Sequence, residues 1–248
     1  MVPASARLAD NLQIRLGNAL KENKEGLSKT LDDFKKYILF NFKGLNPEKF
    51  TAAVFKIEGS NSEVQNQMEN LKALAKKHGG ILAGESTGRS GYLATMVIAY
   101  IRELIFTQNI LGETMETAVP WSKINQVKGE AFKLINELHK ENNLPGKPFF
   151  TSRISKIYHT GVCMYNTIAM SFEGIENPED VFTRIEHKMR ENFIKNGGSI
   201  SHHHGVGKLR KDFMSDTISE GSIEMVKGVK KTQDPDNIFG VKNNIVLD

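Results

Sequence analysis

Two stretches of this chain follow one plan, and that plan narrows the folds open to it. In the first, residues 51–57 alternate, with Ala53, Phe55 and Ile57 on one side, as a half-buried strand requires. Glu58-Gly59 turns the chain, Ser60-Asn61-Ser62 caps a helix over residues 63–77, and His78-Gly79-Gly80 stops it before a short strand at 81–84. In the second, residues 148–173 have strand character with a bend at Gly161. Asn177-Pro178-Glu179-Asp180 then opens a helix to Lys195, Asn196-Gly197-Gly198 ends it, and Ser199-Ile200-Ser201 reads as a short strand. Between the two lie a long apolar helix over 91–109, a strand over 113–119 and a helix over 122–142. This spacing predicts an α+β layered domain, with helices against one sheet. A doubly wound nucleotide fold fits less well, because no strand runs into a G-x-G-x-x-G helix start.

Residues 1–45 read as a connecting arm, a short extended piece followed by two helical patterns, the second over 31–40. No flexible linker divides residues 46–248, so one compact body with terminal arms is expected: an α+β domain over 46–205 and a helical segment with a tail over 206–248. The composition, 39% hydrophobic and 25% charged, is that of a globular protein. One cysteine, Cys163, excludes an intrachain disulfide and any multi-cysteine metal centre, and it reads as buried and inert. A net charge of +4 suits an anionic small molecule but is too weak to argue for nucleic acid. The longest apolar stretch, 92–101, is half of the ~20 residues a membrane span needs. No secretory h-region or C-terminal address tripeptide is legible, so a soluble chain is expected.

Chemistry concentrates in residues 199–211, where His202, His203 and His204 precede Gly205-Val206-Gly207 and then Lys208, Arg210 and Lys211. In a strand, His202 and His204 would share a face and His203 would oppose them, so the three cannot converge on one ion and no metal site is expected. The imidazoles read as proton carriers or anion donors, or else as a solvated strand end. The glycines and cations after them resemble a phosphate-cradling turn as much as an exposed basic one. Tyr165 is a second candidate. Val162, Met164, Ile168, Met170 and Phe172 alternate toward a core, leaving Tyr165 the one large group on the slim face of Gly161, Cys163, Thr167 and Ala169. A phenol with pKa ~10 exchanges protons near neutrality only beside a cation or imidazole, and alone it is equally a packing residue. Arg102, inside the apolar run 96–106, needs an anionic partner, which is either a protein carboxylate or a bound phosphate.

The run Ser201-His202-His203-His204-Gly205-Val206-Gly207-Lys208-Leu209-Arg210-Lys211 and the ending Asp234-Pro235-Asp236-Asn237-Ile238-Phe239 resemble the alkylglycerone-phosphate (alkyl-dihydroxyacetonephosphate) synthases of the FAD-linked oxidase superfamily. Pro3-Ala4-Ser5-Ala6-Arg7-Leu8, Ser90-Gly91-Tyr92, Leu111-Gly112-Glu113 and the segment 161–165 extend the likeness over nearly the whole chain. The resemblance implies a C-terminal (cap) domain with helices packed on an antiparallel sheet. It implies exchange of the acyl group of acyl-dihydroxyacetone phosphate for a long-chain fatty alcohol, in ether-lipid (plasmalogen) synthesis in the peroxisome. FAD is the implied cofactor, holding the dihydroxyacetone phosphate unit at its N5, and its pyrophosphate loop belongs to a preceding domain. By the same likeness Tyr165 is the proton-moving tyrosine, and His202, His203 and His204 are the required histidines. Arg102 binds substrate phosphate and Arg7 lies near the flavin. Membrane-surface association and a homodimer are the partner expectations. Two alternatives stand beside this reading: another FAD-linked oxidoreductase, acting on 2-hydroxy acids, and a non-catalytic binding module. The sequence departs from the family most between Gly44 and Gly80, and has Thr114 and Ser155 where the family commonly has the other hydroxyl residue.

Overall fold

The computed structural model describes residues 2–19 and 44–243, without the side chains of residues 94–99 and 102. The helical pattern expected over 31–40 lies outside the described residues. Five strands, β1 (Ser5–Asp10), β2 (Thr51–Lys56), β3 (Ile110–Pro120), β4 (Phe149–Ile157) and β5 (Gly161–Ser171), form a sheet in the order β2-β1-β4-β5-β3. The β1–β2, β1–β4 and β3–β5 ladders are antiparallel. The helices are α1 (Asn11–Ala19), α2 (Asn61–Lys77), α3 (Glu85–Phe106), α4 (Ile124–Glu141), α5 (Pro178–Lys195) and α6 (Glu220–Gln233).

Where the lack of a linker pointed to one body, the chain clusters into two compact units. One comprises residues 1–108 with 151–156, the other 109–150 with 157–248. The boundary passes along β4 itself, so no linker composition marks it.

In the first unit, Ser5 of β1 pairs with Lys56 of β2 and Leu8 with Ile154 of β4. Asp10 ties that junction together. Its carboxylate accepts from the Gln13 N–H at the start of α1 (3.0 Å), from the Ser152 N–H (2.9 Å) and from the Thr151 hydroxyl. A carboxylate at a helix N-terminus satisfies an otherwise orphaned N–H and complements the dipole. The cap read at Ser60 forms a capping box, with Glu63 accepting from the Ser60 N–H at 2.8 Å.

The second unit is built on β3 and β5, which pair along their full lengths from Ile110–Ser171 to Pro120–Gly161. Met115 and Val119 of β3 and Val162, Met164 and Ile168 of β5 are buried on alternate positions. Val127, Ala131, Ile135 and Leu138 of α4 are buried at three- and four-residue steps, as are Ile185, Met189 and Phe193 of α5. These are the positions one helix face presents to a core. Each of these side chains larger than Ala131 contributes ~1.5–3 kcal/mol on burial.

Two expected strands do not form. Residues 81–84 have no ladder and precede α3, which starts at Glu85 rather than at 91. Residues 199–201 make one short attachment to β3, and the histidines after them lie in a bend. An apolar segment becomes a strand only where a neighbour satisfies its N–H and C=O groups.

Candidate functional site

The candidate site lies within the second unit and begins with the β3–β5 register. Glu116 stands opposite Tyr165, Thr114 opposite Thr167 and Ala118 opposite Cys163, so these side chains share one face of the ladder. The chain reaches that face from the end of α5. Gly198 lets it pass close to β3, since a Cβ there would lie 2.4 Å from Thr117 Oγ1 and 2.9 Å from the Phe193 carbonyl. Ser199 then docks on the strand: its N–H donates to the Ala118 carbonyl (2.9 Å), and its Oγ accepts from the Ala118 N–H (2.8 Å). Thr117 donates to the Ser199 carbonyl at 2.7 Å.

From there the backbone folds around a single carboxylate oxygen. Glu116 Oε1 accepts from the Ser201 hydroxyl (2.7 Å) and from the backbone N–H groups of His202 (3.0 Å), His203 (3.2 Å) and His204 (2.9 Å). The histidine run is therefore a turn shaped by an anion, and the strand geometry expected for it is corrected. Burial pushes the Glu116 carboxyl up. The Ser201 hydroxyl and the three N–H groups outweigh that and hold it at about 2. The side chain is 0% exposed, a buried charge stabilised by directed donors.

The other oxygen, Oε2, contacts Nδ1 of His204. Burial lowers the His204 pKa against the pull of Glu116, which favours the neutral imidazole. A carboxylate at Nδ1 calls for the hydrogen there, which makes Nε2 the acceptor. Nε2 lies 3.5 Å from the Tyr165 hydroxyl, whose one hydrogen is donated to Thr114 Oγ1 at 3.1 Å. Tyr165 thus has the imidazole neighbour that a working phenol requires. His203 lies over the Tyr165 ring, with centroids 5.9 Å apart and planes 28° apart. His202 Nε2 is 2.6 Å from the Tyr158 hydroxyl, and its Nδ1 is 3.1 Å from Nδ1 of His203. Trp121 fixes the Tyr158 hairpin by donating its indole N–H to the Tyr158 carbonyl at 3.1 Å.

Four of the six residues singled out from the sequence, Tyr165, His202, His203 and His204, are thereby brought together. Arg7 belongs to the first unit, where its guanidinium lies over the Tyr92 ring, 5.5 Å from the centroid. Arg102 is also in that unit, on α3, and its side chain lies outside the described ones. In the glycine turn, Gly205 and Gly207 have φ of 73° and 57°. Lys208 is exposed and Arg210 is buried, in the field of Arg190, Glu116, Glu113 and Glu186, so the three cations do not form one basic patch.

Glu116, Ser201 and Tyr158 escaped the sequence reading. A signal for Glu116 existed, because Thr114, Glu116 and Ala118 alternate with the buried Met115, Thr117 and Val119, and β5 carries the matching slim face.

A family model described as FAD linked oxidases, C-terminal domain, matches residues 1–242. The chain belongs to this family. Within the FAD-linked oxidase C-terminal domains it is similar to the alkyldihydroxyacetonephosphate synthase of Caenorhabditis elegans, 36% identical over 244 residues, covering 98% of this chain and 41% of that protein. The synthases of Dictyostelium discoideum and Trypanosoma brucei brucei are 25% and 26% identical, over 96% and 95% of this chain and 38% of each relative. A solved alkyldihydroxyacetonephosphate synthase superposes with a TM-score of 0.65 at 19% identity, over 96% of this chain and 39% of that one, which shows the α+β fold with its antiparallel sheet. The chain spans about two fifths of the curated relatives it matches.

Proposed function

We propose that this FAD-linked oxidase C-terminal domain is the substrate-handling part of an alkyldihydroxyacetonephosphate synthase. It would exchange the acyl group of acyl-dihydroxyacetone phosphate for a long-chain fatty alcohol in ether-lipid synthesis. The observation that carries this is the Tyr165 hydroxyl, 3.5 Å from Nε2 of His204, whose Nδ1 lies against the Glu116 carboxylate.

The exchange releases a fatty carboxylate and, overall, one proton, which comes from the hydroxyl of the incoming alcohol. A phenol near pKa ~10 is a poor base by itself. With its hydrogen turned from Thr114 Oγ1 toward His204, Tyr165 can take the alcohol hydrogen as its own passes to Nε2, and can return it by the reverse path. Glu116, with its pKa at about 2, stays a carboxylate throughout and stabilises the imidazolium that forms. His203 is exposed, leaving the turn accessible to a group brought from outside.

The donor set fits a flavin partner, because phenol and imidazoles move protons but cannot accept an electron pair from carbon. FAD, when bound, supplies that electron-accepting ring. Arg7 is the residue assigned toward it and Arg102 the one assigned to substrate phosphate, both on the family likeness. That likeness also supports a peroxisomal setting, and substrates with long alkyl chains favour work at a membrane surface. No helix among the described residues is long and apolar enough to cross a membrane.

In the flavin-loaded enzyme containing this chain, Tyr165→Phe should lower alkyl exchange by at least ~100-fold, the scale of a general acid–base contribution, with flavin absorbance retained. Normal turnover in that variant overturns the reading.

A further inference from the structure

The turn around Glu116 changes what the histidines can do together. In a strand, neighbouring imidazoles diverge. Here three consecutive N–H groups are drawn to one oxygen, and Nδ1 of His202 comes within 3.1 Å of Nδ1 of His203. Beneath them on β5, on the Tyr165 face, is Cys163, and its Sγ lies with one ring nitrogen from each of His202 and His203 inside a mutual distance of 4.8 Å. We infer that Cys163, His202 and His203 form a three-ligand site for a thiophilic divalent cation of the zinc type.

Geometry and donor chemistry both support this. Zn–N bonds of ~2.0–2.1 Å and a Zn–S bond of ~2.3 Å put tetrahedral donors roughly 3.3–3.6 Å apart. The two imidazoles already stand near that separation, and closing the set to it needs a movement of about an ångström by the thiol. The Tyr158 hydroxyl, 2.6 Å from His202 Nε2, is the outer partner that a ligating histidine characteristically has, accepting the Nε2–H and keeping Nδ1 as the donor atom toward the ion. Thiolate with imidazole selects zinc-like ions over magnesium or calcium. Cys163 is buried and His203 exposed, so the site has a protein floor and an open approach, with its fourth position left to solvent.

Binding is a substitution of a proton by the ion. The Cys163 thiol loses its hydrogen to solvent as the M–S bond forms, exchanging its weak 4.0 Å contact to the Met164 carbonyl for the ion. His203 carries its hydrogen on Nε2 when its Nδ1 ligates. His204, Glu116 and Tyr165 are not ligands. An ion here would occupy two histidines of the turn, and on the functional reading above it would inhibit the enzyme.

Cobalt(II) is the probe, titrated into the reduced 248-residue chain. The expected result is saturation at one equivalent, with tetrahedral visible bands and a near-ultraviolet thiolate-to-cobalt band, all reversed by zinc. Cys163→Ala should abolish the near-ultraviolet band and weaken zinc at least tenfold in competition with a chromophoric chelator. Cys163→Ser serves equally if the alanine variant does not fold, and His203→Ala should weaken zinc likewise. Tyr165→Phe should leave the spectrum intact, which separates this site from the proton-relay reading. Absence of the thiolate band in the parent chain, or zinc affinity unchanged by loss of Cys163 or His203, overturns the site.

Discussion

Glu116 is the residue on which the local structure turns. Its carboxyl titrates near 2 in the folded chain against an ordinary 4.5, so its contribution to stability is complete above about 4.5 and is lost as the pH falls toward 2. A depression of that size corresponds to about 3 kcal/mol. Urea unfolding of Glu116→Gln, compared with the parent, should therefore show a deficit of this order at pH 7 that shrinks on acidification and closes near pH 2. A deficit constant with pH would mean that the side chain acts by shape alone. Asp234, also held at about 2 by the Lys230 ammonium and then the Ile238 N–H, keeps its own acid sensitivity in both proteins. The sequence exposed Tyr165 and the histidines because unusual side chains stand out on a slim face or in a rare run. It hid Glu116 because a carboxylate on a strand looks solvated until its partners, 85 to 88 residues away, are in place.

At the scale of elements, alternation and capping were legible where the deciding contacts are local. The β2 and β5 strands, the Ser60 capping box and the start of α5 at Pro178 formed as read, but the covered side of β2 is that of Ala52 and Val54, and Ala53 and Phe55 are exposed. The x-Gly-Gly stops were also real, but the strands placed after them were not, because a strand depends on a distant partner. Gly198 shows what that punctuation is for. It ends α5 and also lets the chain cross β3 closely enough for Ser199 to dock. Gly198→Ala would press its methyl group against Thr117 Oγ1 and the Phe193 carbonyl, costing ~1–3 kcal/mol as overpacking does. Its expected signature is a lower Tm together with loss of the Tyr165–His204 geometry and, on the proposed function, of alkyl exchange in the enzyme containing this chain. Unchanged Tm would show that the crossing tolerates a side chain.

Across the whole molecule, large apolar groups remain at the surface of both units. Leu93, Tyr100, Leu104 and Phe106 are exposed on α3, and Met225, Val229, Ile238 and Phe239 on or just beyond α6. Surfaces of this kind bind other surfaces or associate with themselves. Light scattering on the purified 248-residue chain should show a mass rising with concentration, and Tyr100→Ser with Leu104→Ser should reduce it. A constant monomer mass would contradict that expectation.

By itself the sequence determined the α+β class and the family, and it singled out the side chains proposed here to handle protons, because periodicity, helix stops and rare motifs are recorded in neighbouring residues. The division into two units along β4, the anion-wound turn and the pairing of Tyr165 with His204 were decided only by the tertiary structure. Each of those depends on which backbone donors a distant strand leaves to be satisfied and on which carboxylate lies buried beneath them. Local pattern sets neither one.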